Sequence, residues 1–212
     1  GSGGSVGREG PIVQIGSSIG SSLGQIFRLS KDKMKILVAC GAGGGIAATF
    51  NAPLAGIFFA LEVILRDYAP RYISSVVLAS VIATVVSRNY LGDNPAFVIP
   101  HYQLNSAWEI GFYMAFGLLA ALAGFLFIKM LYRTEDIFNK FPLPEYFRPA
   151  IGGLSVGIIG LFYPQIFGVG YENIELALYG QITAGLALIL VFVKMMATSL
   201  TLGSGASGGV FA

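Results

Sequence analysis

Apolar runs of roughly 20 residues, separated by short polar stretches, recur along this chain, and few folds accommodate them. Runs of that length cross hydrocarbon as helices, which satisfy their own backbone hydrogen bonds. The alternating ten-residue segments of a membrane barrel are absent. Of the 212 residues, 55% are hydrophobic and 11% charged, against about 25% charged in soluble domains. An all-α integral membrane protein is therefore expected. A net charge of +2 gives no footing for nucleic acid. Cys40 is the single cysteine and His101 the single histidine, which rules out an intrachain disulfide and a multi-histidine metal site. No metal or cofactor is expected. The chain shows no signal peptide, opens without methionine and stops at Ala212 in mid-pattern, and so reads as a fragment of a longer protein.

In chain order, a Gly/Ser loop leads into a helix expected to start near Pro11, because proline suits the first helical position. Gly16, Gly20 and Gly24 form a ridge for close helix approach. Further apolar runs span about 36–49, 53–65, 73–91, 107–132, 150–162 and 174–200, the last broken near Gly180-Gln181. Lys and Arg concentrate in 28–35, 66–71 and 129–148, which orients those loops to the cytosol. Several runs are too short to cross about 30 Å squarely.

The two ends of the chain repeat one element. Residues 1–10 align without gaps on 203–212, with Gly1, Ser2, Gly3, Ser5 and Gly7 matched by Gly203, Ser204, Gly205, Ser207 and Gly209. Repeated loop-into-helix elements mark transporters in which broken-helix N-termini meet around a substrate. Such N-termini present free N–H groups and partial positive charge, and so attract anions. The amides around Arg8, Glu9 and Gly10 and around Val210, Phe211 and Ala212 are the candidate donors. Glu9 is an anion tethered at that spot, hence a candidate gate. Unpaired within the membrane it would cost about 2.5–3.5 kcal/mol. A plain Arg8–Glu9 pair that only holds the loop is the competing explanation.

Glu62, followed by Val63, is the other acid within an apolar run, and lies near the cytosolic end of its helix. Lys194 can snorkel to an interface and is given no role. Three fits to the serine-hydrolase elbow, two of them at Ser5 and Ser207, reflect glycine abundance, because that motif needs a preceding strand and a histidine base. Catalysis is not expected. A broken-helix transporter for a small organic or inorganic anion is the reading these features leave open.

At Gly7-Arg8-Glu9-Gly10-Pro11, Phe50-Asn51-Ala52-Pro53-Leu54-Ala55-Gly56 and Gly209-Val210-Phe211-Ala212, the sequence resembles the CLC family of chloride channels and chloride/proton exchangers. The resemblance runs through essentially all of the chain. It implies an inverted-repeat bundle of tilted and broken helices, with about 1–91 ending the first half and about 105–212 starting the second. It implies Glu9 as gating glutamate, and Arg8, Glu9, Gly10, Val210, Phe211 and Ala212 lending amides to chloride. It also implies a homodimer through helices around 53–65 and 73–91, in the plasma (inner) membrane, with a fluoride-selective relative as a variant. Many exchangers of the family carry an internal glutamate directly after the position of Glu62; here Val63 stands there, as in channel members. Some exchangers lack that acid too, so Glu62 and Val63 leave channel and exchanger both open.

Overall fold

The computed structural model describes residues 3–101, 103, 106–142 and 144–210. They form two compact units, residues 8–98 and residues 1–7 with 99–212.

Helices α1 (Glu9–Ile26) and α2 (Lys31–Phe50) open the first unit. They pack antiparallel along glycines. Gly45 faces Ile12, Gly41 faces Gly16, Leu37 faces Gly20 and Met34 faces Gly24. A Cβ on Gly16 or Gly41 would run into the other's carbonyl group, so backbone touches backbone, the close approach that small residues permit between membrane helices. The expected Gly16/Gly20/Gly24 ridge is therefore one side of this seam. The helix begins two residues before Pro11, so Glu9 itself is in the first turn. Likewise α2 starts at Lys31, because the polar Lys31–Lys35 stretch contains no helix breaker.

Asn51 ends α2 in the left-handed conformation, with φ 52°. Its side chain is a hub: Nδ2 donates to Asp93 Oδ1 (2.8 Å) and to the Asn94 carbonyl (3.2 Å), and Oδ1 accepts from Arg88 Nε (2.6 Å). Pro53 then opens α3 (Pro53–Phe59), which runs into a π-helical turn over Ala60–Leu65. Helix α4 (Pro70–Leu91) follows. Ala39, Ile57, Ala60, Leu61 and Val76 form the core, with Cys40 packed against it as a small apolar residue.

In the second unit, α5 (Trp108–Lys140) has 33 residues, about 50 Å at 1.5 Å per residue, longer than a hydrocarbon core of about 30 Å. It runs past the expected end near Tyr132 because no breaker intervenes before Phe141-Pro142. Helices α6 (Arg148–Phe162), α7 (Tyr171–Leu178) and α8 (Ala184–Gly203) complete it. The break expected near Gly180-Gln181 lies between α7 and α8, with Gly180 at φ 70°. Val156, Ile166 and Ala197 are fully buried between α6, α8 and the Pro164–Ile166 turn. Among the described residues, three helices, Pro70–Leu91, Trp108–Lys140 and Ala184–Gly203, are long and apolar enough to cross a membrane.

Candidate functional site

The repeated Gly/Ser loops meet. Gly7 N–H donates to the Gly209 carbonyl at 2.9 Å, and Gly209 N–H donates to the Gly7 carbonyl at 2.8 Å, forming an antiparallel bridge. Val6 fills the space over Gly208, where an added Cβ would lie 2.5 Å from the Val6 Cβ.

Helix α8 holds the first loop from beneath. Ser5 is fully buried; its N–H donates to Thr201 Oγ1 (3.3 Å) and its hydroxyl lies 3.5 Å from Thr198 Oγ1. Thr201 in turn donates to the Ala197 carbonyl (2.7 Å), and Ser204 Oγ to the Thr201 carbonyl (2.9 Å). Ser5 thus serves as a structural pin, seated among hydroxyls. Ser207, its repeat counterpart, is exposed.

In the other unit, Arg8 caps α1 with helical φ and ψ of −97° and 0°. The Ile12 N–H to Arg8 carbonyl bond, at 3.2 Å, is the first turn's own closure. Before it stand the Glu9 and Gly10 amides, and Pro11 carries none. These are helix-start donors of the kind that favour anions.

Glu9 is 7% exposed, and its Oε2 is buried with no hydrogen-bond partner among the described residues. Buried carboxylate oxygens are ordinarily satisfied, so this acid is held where its own charge is not fully matched. The Arg8 guanidinium lies 5.7 Å from the centre of the Phe50 ring, within cation–π range. Phe50 belongs to the second stretch that carries the resemblance.

Glu62 and Val63 sit on the π-helical turn and are both exposed. The wider turn, closed by Asp67 N–H to the Leu61 carbonyl at 3.2 Å, could not be read from Ala60–Leu65, which has ordinary helical composition. Val210 is 41% exposed. Phe211 and Ala212 lie outside the described residues.

One residue given no role in the sequence turns out to be anchored. Lys194 Nζ donates to the Gly168 carbonyl (2.6 Å) and the Ile166 carbonyl (3.1 Å) instead of reaching outward. Its signal was a lysine among apolar residues of α8, where an unpaired ammonium is costly.

A family model described as voltage gated chloride channel matches residues 1–212. Chloride channel protein CLC-f of Arabidopsis thaliana is 38% identical over 226 residues, covering 100% of this chain and 29% of that protein. Among solved structures, a slow cyanobacterial Cl⁻/H⁺ antiporter superposes with a TM-score of 0.87 at 30% identity, over 100% of this chain and 50% of that one. A CLC-type fluoride/proton antiporter gives 0.82 at 28% identity, over 98% of this chain and 52% of that one. The chain spans about half the length of the curated relatives it matches first, or less. An all-helical membrane fold, two paired copies of a glycine loop and a match along every residue lead to one conclusion: the chain belongs to the voltage gated chloride channel (CLC) family.

Proposed function

We propose that this chain forms part of a pathway carrying chloride across a membrane, with Glu9 as its gate. The observation that carries the reading is the Gly7–Gly209 bridge, which pairs the two loops whose next residues, Arg8 and Val210, begin the candidate anion-binding segments. Arg8, Glu9 and Gly10, with Val210, Phe211 and Ala212, lend backbone amides to the ion. Partial charges suit conduction, because a full positive charge in contact would hold the ion too long. The Glu9 carboxylate occupies an anion position, and its protonation or displacement admits chloride. The buried Oε2 supports this, since no hydrogen bond among the described residues holds that oxygen in place.

The similar antiporters support proton coupling as the finer mechanism, with Glu62 as the candidate acid of an intracellular proton route that has to pass Val63, the position where many exchangers carry a second acid. The same resemblance supports two repeat halves, about 1–91 and 105–212, and a homodimer through the helices at 53–65 and 73–91 in the plasma membrane. Fluoride is the second candidate ion, favoured by likeness to a fluoride/proton antiporter.

The test is chloride efflux from liposomes containing the full-length protein, with external pH recorded under an imposed chloride gradient. Chloride-driven proton movement assigns an exchanger, and chloride flux without it a channel. Absence of chloride flux with rapid fluoride flux assigns the fluoride reading. No flux of either ion overturns anion transport.

A further inference from the structure

We infer that Lys194 is a positioning residue for the anion site, acting through the Pro164–Gly168 turn on the loop that carries Gly7. This rests on the reading of the Gly7 and Gly209 loops as anion-binding segments.

Lys194, Thr198 and Thr201 are spaced four and three residues apart on α8, and so lie on one face of the helix. Each of the three serves the same loop. Thr201 and Thr198 hold Ser5 directly. Lys194 holds it through one intermediary: its ammonium fixes the Ile166 and Gly168 carbonyls, and Gly168 N–H donates to the Gly4 carbonyl at 2.9 Å. Gly4 adjoins Ser5 and stands three residues before the bridged Gly7.

The turn is shaped for this contact. Gly168 and Gly170 take φ of +64° and +86°, left-handed values that suit glycine and bend the chain around the ammonium. Phe167 packs against Gly160, where any Cβ would collide with the ring, and its ring also lies 3.8 Å from a Cβ position on Gly3. On the other side, Asn173 Nδ2 donates to the Gln165 carbonyl at 2.9 Å. The turn is therefore clamped by α7 and α8 at once and passes its position to Gly3 and Gly4.

A lysine is suited to the task because two carbonyl oxygens from one turn need two donors at a single point. An ammonium supplies three, and its bonds to carbonyls are stronger than neutral ones. Burying it in an apolar helix is tolerable only with such partners.

The experiment is calorimetric titration of chloride into the purified full-length protein, comparing wild type, Lys194→Met, Lys194→Arg and Asn173→Ala. Lys194→Met removes the donors and keeps the stem, so its chloride affinity is expected to fall about ten-fold, the scale of losing an outer support of a bound ion. Lys194→Arg keeps donors and charge and is expected to stay within about three-fold of wild type. A purely structural role would lower the melting midpoint of Lys194→Met and leave its chloride affinity within about two-fold of wild type, which overturns the inference. If Lys194→Met yields no folded protein, Asn173→Ala decides: it frees the turn from its other side, and about three-fold weaker binding supports the inference while unchanged binding overturns it. Wild-type protein that binds no chloride instead refutes the anion-site reading, a different result from wild-type binding that Lys194→Met leaves intact.

Discussion

Gly7 and Gly209 exchange both backbone hydrogen bonds, and they are the same position in the two copies of the repeat. Residues opposed in this way in an antiparallel pair are related by a local two-fold.

The contact between Val6 and Gly208 tests how tightly the loops must fit. Gly208→Ala places a methyl group against the Val6 side chain and is expected to destabilise the pairing by about 1–3 kcal/mol, the range for overpacking. Chloride efflux from liposomes should fall, and the double variant Val6→Gly/Gly208→Ala, which removes the Cβ that the new methyl meets, should recover part of it. Equal flux in wild type and Gly208→Ala would refute the need for this fit.

Glu9→Gln removes the charge while keeping the size of the side chain. Anion flux in the variant is expected to persist and to lose whatever dependence on pH it has in the wild type. Any proton movement coupled to chloride should vanish. The measurement is efflux at a series of external pH values, and a wild-type pH profile in Glu9→Gln would remove Glu9 as the gate.

Gly16 and Gly41 set the spacing of α1 and α2. Gly41→Ala forces the helices apart at a point where backbone meets backbone, at an expected cost of about 1–3 kcal/mol. Thermal unfolding in detergent should show a clear fall in midpoint. Gly117→Ala, where an added Cβ meets nothing within 4 Å, should leave the midpoint unchanged or raise it slightly.

Asn51 combines a left-handed backbone with three side-chain hydrogen bonds. Asn51→Gly keeps the backbone conformation and loses the bonds; Asn51→Val loses both and is expected to be the more destabilising by about 1–2 kcal/mol. Asp93→Ala breaks an exposed ion pair with Arg88 (3.1 Å) and should cost under about 1 kcal/mol. Unfolding midpoints ranked Asp93→Ala, Asn51→Gly, Asn51→Val in order of increasing damage would bear out this account.

Much of the arrangement could be read in the sequence because the determinants are local or periodic. The glycine spacing of α1 announced its seam, and the repeat at residues 3–7 and 205–209 announced two equivalent loops. What could not be read there depends on residues far apart in the chain. The π-helical turn at Ala60–Leu65 has no composition of its own. Lys194 could have pointed to either interface, and only the fold brings the Ile166 and Gly168 carbonyls to it. The start at Glu9 in place of Pro11 is a matter of two residues, decided by Arg8 already taking helical angles.

The bridge between Gly7 and Gly209 closes a loop of about 200 residues, and a contact of such long range forms late in folding. As the chain is made from its N-terminus, α1 is complete long before α8 exists. Until α8 arrives, Ser5 has neither Thr198 nor Thr201 to sit against, and Gly7 has no partner. A half-made protein therefore holds the Ser5–Gly7 segment unseated, and that segment reaches its final place only once the last helix described here exists.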